Sequence, residues 1–203
     1  MFGISKKEME RKAAYQQLSI RNEMQYLDTD EFGTKAYLSH FELFKKRNAT
    51  IRNLSQKKSH SLENEINIFD MKYKVHTGKT VIIYDQTVFF INSKNLSLPE
   101  FMMKPEHLGH KIASYFGWDD IDFVEYPVFS DQYHLTGSDS DYIRYAFDDK
   151  ILKFFSKTSG WTIEAANYYL IFYSHNSLVP PNILQDFYRL GMGIYDMFRE
   201  GDE

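Results

Sequence analysis

Two histidines three residues apart, in Glu106-His107-Leu108-Gly109-His110, have the strongest claim to chemistry in this chain. On a helix, positions i and i+3 share a face, so His107 and His110 could reach one metal ion. Asp119, Asp120 and Asp122 follow closely and could complete its shell, as a metal-dependent hydrolase would need. The pattern departs from that of zinc proteases, whose histidines stand four apart with a glutamate after the first. A plainer account treats the acids as surface residues around a turn, with Asp120 and Asp122 on the solvent face of a strand. That account is favoured, and no catalytic, cofactor or metal residue is assigned.

Other chemistries find less support. Ser138-Asp139-Ser140-Asp141 alternates oxygen ligands, but a calcium loop needs more of them, with a glycine and a distal glutamate at set positions. Capping a helix explains these residues more simply. The chain has no cysteine, so disulfides, thiolate metal sites and cysteine nucleophiles are excluded. No phosphate-cradling glycine loop, dinucleotide fingerprint or nucleophile elbow is present. A serine–histidine–aspartate triad is a matter of geometry and cannot be read from spacing.

Charge is unevenly spread. Residues 1–60 hold 12 Lys+Arg against 7 Asp+Glu, and residues 61–203 hold 12 against 21. The basic stretch 45–58 contains Lys45, Lys46, Arg47, Arg52, Lys57 and Lys58, with Phe41 and Phe44 beside it. It could meet phosphates while the rings stack on bases, or touch an anionic membrane surface. The acidic remainder opposes nucleic acid, and a solvated loop is the favoured account.

The elements that must position these residues begin with the clearest pattern. Phe69, Met71, Tyr73 and Val75 alternate with Asp70, Lys72 and Lys74, the period of two of a half-buried strand. Strands over Ile66–Val75 and Thr80–Ile91, joined by His76-Thr77-Gly78-Lys79, form a hairpin with one wet face. A capping box at Ser5 and Glu8 starts a helix running to Leu18. A second helix is expected over Lys35–Phe44, a short strand over Thr50–Leu54 and a loop over Gln56–Leu62. Ser97–Met103 adds a strand that Pro99 should confine to an edge or a strand start. A helix opens at Pro105 and ends at Gly117. Asp119–Glu125 and Gln132–Thr136 read as extended. A helix from the Gly137–Asp141 cap runs to Lys157, with a break at Asp148-Asp149. Trp161–Ala165 and Tyr169–Ser174 form a second hairpin. The last helix begins at Pro180-Pro181 and carries Ile183, Leu184, Phe187, Leu190, Ile194, Met197 and Phe198 at helical spacing. Gly191 and Gly193 are costly inside it, so something should pack against that backbone.

Several short motifs, taken in order, resemble an uncharacterised bacterial family of unknown function. They are Asp30-Glu31-Phe32, Phe69-Asp70-Met71-Lys72-Tyr73 before a Thr-Gly turn, Gln86-Thr87-Val88 and Lys104-Pro105-Glu106. Asp120-Ile121-Asp122-Phe123 leading to Phe129 and Tyr133, then Gly160-Trp161 and Pro180-Pro181, complete the series. The resemblance spans residues 10–198 and implies a bacterial α+β module without catalytic residues. Members of that family often carry an N-terminal membrane anchor, which is not found here.

The expected fold is α+β: an antiparallel sheet of six to eight strands built from hairpins, covered on one side by three or four helices including a long C-terminal one. Residues 1–60 form a helical, basic segment packed on an α+β body of 61–203, most simply one domain. No run approaches the ~20 apolar residues of a membrane helix, and the first residues lack a signal peptide's apolar stretch. The expectation is a cytoplasmic, non-enzymatic binding or interaction domain. It would meet a protein partner, or a second copy of itself, through Tyr73, Tyr84, Phe89, Phe90, Tyr168, Tyr169 and Tyr173.

Overall fold

The computed structural model describes residues 5–31, 33–45, 48–59, 64–111 and 118–199, with backbone alone over 109–111. Eight strands form one antiparallel sheet in the order β1-β2-β3-β4-β8-β7-β5-β6. They are β1 (Gln25–Thr29), β2 (Thr50–Lys58), β3 (Asn64–Thr77), β4 (Thr80–Ser93), β5 (Leu98–Pro105), β6 (Tyr133–Gly137), β7 (Thr162–Asn167) and β8 (Tyr169–Tyr173). The helices are α1 (Lys6–Arg21), the single turn α2 (Thr34–Tyr37), α3 (Pro127–Gln132), α4 (Ser140–Ala146), α5 (Asp149–Lys157) and the long C-terminal α6 (Leu184–Phe198). The fold is therefore α+β, as the interspersed strand and helix patterns require. Among the described residues, no helix is long and apolar enough to cross a membrane.

The β3–β4 hairpin is longer and tighter than its sequence suggested. Pairing runs from Asn64↔Ser93 to Thr77↔Thr80, leaving Gly78-Lys79 as a two-residue turn. Gly78 has φ +59, a left-handed conformation that glycine adopts without cost.

The sheet is covered on both faces, not on one. One core gathers α1, α3, α4, α5 and α6 against Ile68, Phe89, Ile91, Phe101, Leu135, Leu170 and Phe172. A second joins Leu38, Phe41, Leu43 and Phe44 to Phe69, Met71, Val88, Phe90, Ile171 and Tyr173. The cause lies in the central strands. Val88-Phe89-Phe90-Ile91 and Leu170-Ile171-Phe172-Tyr173 are unbroken apolar runs, so successive side chains demand burial on opposite sides. The segment around Leu38–Phe44 meets that demand as one helical turn and a run of turns, where a ten-residue helix was expected.

Local departures each have a physical reason. Pro99 is the second residue of β5 and so meets the strand-start alternative, although β5 lies between β6 and β7 and not at an edge. It is accommodated by an irregular register between Leu98 and Phe101, and pairing with β6 begins only at Phe101. Asp119–Glu125 forms no strand; its backbone touches β6 where Ile121 N–H donates to the Leu135 carbonyl at 2.8 Å. β2 extends through Gln56–Lys58, which had read as loop, and β1 was not foreseen. The helix after Gly137 does break at Asp148, which caps α5 by accepting from Ile151 N–H. The turn after Pro105 is a 3₁₀ helix, Glu106–Lys111, and the rest of that expected helix lies outside the described residues.

Candidate functional site

The His107–His110 pairing is not the arrangement that forms. His107 is exposed, and the His110 side chain lies outside the described residues. Asp119 and Asp122 are also exposed. Instead, the β5–β6 ladder pairs Lys104 with His134 and Pro105 with Tyr133, which brings Glu106 beside His134. Asp120 joins them because its Oδ1 accepts the Leu135 N–H at 3.1 Å. His134 Nδ1 lies 2.9 Å from Asp120 Oδ2 and 4.0 Å from Glu106 Oε2. Ligand atoms of Glu106, Asp120 and His134 all fall within 4.8 Å of one another, so this triad is where a divalent ion would fit. Of the foreseen ligands only Asp120 belongs to it. Glu106 and His134 meet through strand pairing across nearly thirty residues, which spacing alone cannot reveal.

A buried cation moderates the triad. Lys104 is 4% exposed, and burial, the leading effect, lowers its pKa against the opposing charges of Glu106, Asp120, Glu164 and Glu42. An ammonium already set among these carboxylates reduces the negative potential that a metal ion would seek.

Glu164, on β7, is the other unforeseen ionisable group. It is fully buried beneath the Leu38–Phe44 segment and accepts backbone N–H bonds from Glu42 at 2.5 Å and Leu43 at 3.1 Å. Tyr173 Oη donates a third at 2.8 Å. Burial pushes its pKa up to about 7, outweighing those hydrogen bonds, which favour the carboxylate. The single charged letter in a buried strand was the available signal. Its bonds fix the segment that roofs the second core, so its role is positional.

The basic stretch 45–58 is largely neutralised at home. Lys45 pairs with Glu42 at 2.7 Å, Arg52 with Asp85 at 2.7 Å, Lys57 with Glu23 at 3.3 Å and Lys58 with Glu65 at 3.8 Å. Lys46 and Arg47 lie outside the described residues. Phe41 and Phe44 belong to the second core and present no stacking platform.

The aromatic surface resolves mostly into interior. Phe89, Phe90, Tyr73 and Tyr173 are buried, Tyr84 and Tyr169 half-buried, and Tyr168 half exposed. The exposed apolar surface lies further along the same hairpin. β2 stops pairing with β3 at Thr50↔Lys72, and β8 pairs with β4 only from Val88 onward. Lys74–Thr77 and Thr80–Ile83 thus continue as a two-stranded ribbon that no other strand flanks among the described residues. Val81, Ile82 and Ile83 on it are 48%, 38% and 50% exposed. At its base Tyr73 and Tyr84 stack with centroids 5.2 Å apart, and Tyr73 Oη donates to Asn176 Oδ1. The run Thr80-Val81-Ile82-Ile83 was legible as strand, but its solvent exposure was not, because that depends on where the neighbouring strands end.

No protein-family model matches the chain, and no curated protein matches it. Among solved structures, the chain is similar to the crystal structure of the mycobacterial trehalose monomycolate transport factor A, TtfA, with a TM-score of 0.61. The likeness covers 93% of this chain and 94% of that one at 11% sequence identity, so it is a likeness of fold.

Proposed function

We propose that this chain is a non-enzymatic binding module whose contact element is the β3–β4 ribbon. The observation that carries this reading is the exposure of three consecutive branched apolar residues, Val81, Ile82 and Ile83, on a ribbon with open edges. Apolar side chains grouped in water mark contact surfaces, and unpaired strand edges offer backbone donors and acceptors as well. The likeness in fold to a transport factor supports a role in meeting a partner, while fold alone carries no substrate. The lack of cysteine supports a reducing, cytoplasmic setting. A photo-crosslinking residue placed at Ile82 in living cells, with Met9 as an exposed control, tests the reading. Adducts of any class concentrated at position 82 support it; equal or absent adducts at both positions refute it.

A second reading rests on the Glu106–Asp120–His134 triad, which would serve a metal-dependent hydrolase if it held a divalent ion. Thermal unfolding with added zinc tests it, since a ligand bound only to the folded state raises the midpoint. No rise in the wild type, or an equal rise in His134→Ala, removes it.

A further inference from the structure

The ribbon that serves as contact element in the proposed function carries an uncommon charge for its molecule. Over the free ribbon, residues 74–83, there are two lysines, at 74 and 79, together with His76, and no aspartate or glutamate, while Lys72 at its base stands opposite Asp85. The whole chain is formally −4. The basic residues of the neighbouring strand β2 are each paired with an acid, Arg52 with Asp85, Lys57 with Glu23 and Lys58 with Glu65. The ribbon concentrates positive charge at one protruding end of an acidic protein.

Its apolar residues are not confined to one face. Cross-strand register places Lys74 opposite Ile83 and His76 opposite Val81, and Val75 opposite Ile82 on the other side of the pleat. Val81 and Ile83 therefore project one way and Ile82 the other. A groove on a folded partner would cover one of these faces. Immersion in a fluid apolar medium covers both. Measured from the Tyr73–Tyr84 stack, the free ribbon is roughly 15 Å long at 3.3 Å per residue. That length reaches through a headgroup layer into the acyl boundary, well short of the ~30 Å hydrocarbon core. Lysine stems can lie along the apolar surface while their ammonium groups stay at phosphate level.

Resting on the binding-module reading, we propose that the β3–β4 ribbon docks the protein on an anionic lipid bilayer, with Val81, Ile82 and Ile83 at the headgroup–acyl boundary, Lys74 on lipid phosphates and Lys79, in the turn, extending its stem back toward them. The −4 chain repels the same surface, so charge orients the molecule with the ribbon pointing down. A second copy is the weaker occupant, because two ribbons brought together place like charges side by side.

The test is flotation of the purified chain with vesicles of phosphatidylcholine alone or with one-third phosphatidylglycerol. The expected result is binding to the anionic vesicles, lost in 0.5 M salt. The variant Lys74→Glu/Lys79→Glu should weaken it by at least about 25-fold, from roughly fivefold per lysine lost. Ile82→Asp/Ile83→Asp should abolish it with the thermal midpoint unchanged. A Val81→Trp variant should show blue-shifted fluorescence on vesicles. Binding that is absent, equal on neutral vesicles, or untouched by both variants overturns the proposal. So does a dimer in sedimentation that Ile82→Asp/Ile83→Asp dissolves. If vesicles fail while Ile82 crosslinks to protein in cells, the lipid assignment falls and the binding-module reading stands.

Discussion

The Arg11 guanidinium grips the Asp70 carboxylate through two parallel hydrogen bonds, Nε to Oδ2 at 2.5 Å and Nη2 to Oδ1 at 2.6 Å. Arg11 stands on α1 and Asp70 on β3, so this pair fastens the first helix to the centre of the sheet. The helix needs it, since Tyr15, Leu18 and Ser19 are its only buried residues. The carboxylate is fully buried and also accepts from Tyr15 Oη at 2.7 Å, Asn53 Nδ2 at 3.0 Å and Thr87 Oγ1 at 3.1 Å. Arg11 Nη1 donates to the Val179 carbonyl at 2.8 Å, which ties the loop before α6 into the same knot. Burial would lower the Arg11 pKa, but the bonds and charge of Asp70 outweigh it and the net shift is upward.

Removing one partner strands the other in a dry site. Arg11→Met or Asp70→Ala should therefore each cost about 3–5 kcal/mol of unfolding free energy, measured by urea denaturation. The double variant should cost clearly less than the sum, because no charge is left unpaired. Additive losses would show that the two residues act independently.

This knot also shows where the sequence stops informing. Asp70 alternates with Phe69 and Met71 and was read onto a wet face, which is the ordinary fate of an aspartate in a strand. Its partner lies 59 residues earlier on a helix with a thin apolar stripe, and neither residue type announces the other. The same limit applies to Glu106, Asp120 and His134, which meet only through β5–β6 pairing. By contrast, the Ser5–Glu8 capping box, the Asp148 break and the long C-terminal helix are local, and local rules found them. The second core was missed for a different reason: a period-two reading assigns one side of a strand to solvent, and the unbroken apolar runs of β4 and β8 contradict that assignment.

The two glycines of α6 should behave oppositely. A Cβ on Gly191 would lie 2.4 Å from Cδ2 of Phe89, a fully buried ring in the centre of β4. Gly191→Ala should destabilise by about 1–3 kcal/mol through overpacking. Gly193 has nothing within 4 Å of such a Cβ, so Gly193→Ala should stabilise by up to about 1 kcal/mol. Thermal denaturation of the two variants separates these outcomes, and similar midpoints would refute the packing assignment.

Opening of the hairpin should be graded along its length. Asp70 and Thr87 are locked into the Arg11 knot, and Thr87 N–H donates to the Ser177 carbonyl at 3.1 Å. Beyond Tyr73 and Tyr84 no further strand flanks the pair among the described residues, and Val75 at the start of the ribbon still packs against the second core. Hydrogen exchange should therefore be fastest at 74–83, intermediate near the tyrosine stack and slowest at 66–71 and 88–91. Uniform protection along β3 and β4 would mean that the ribbon is covered by something.

Glu164 should make stability depend on pH in an unusual direction for a carboxylate. Its value in the fold is about 7, above the ordinary 4.5, so folding favours the protonated form. The contribution is full below about pH 4.5 and is lost as pH rises through about 7. A shift of this size corresponds to roughly 3 kcal/mol across the window. Above it the charge persists, held by the Glu42 and Leu43 amides and the Tyr173 hydroxyl, but at a desolvation cost. Glu164→Gln cannot titrate, so its stability should fall less than that of the wild type between pH 5 and pH 8. Urea midpoints at the two values measure the difference, and parallel curves for the two proteins would show that Glu164 keeps its ordinary pKa despite its burial.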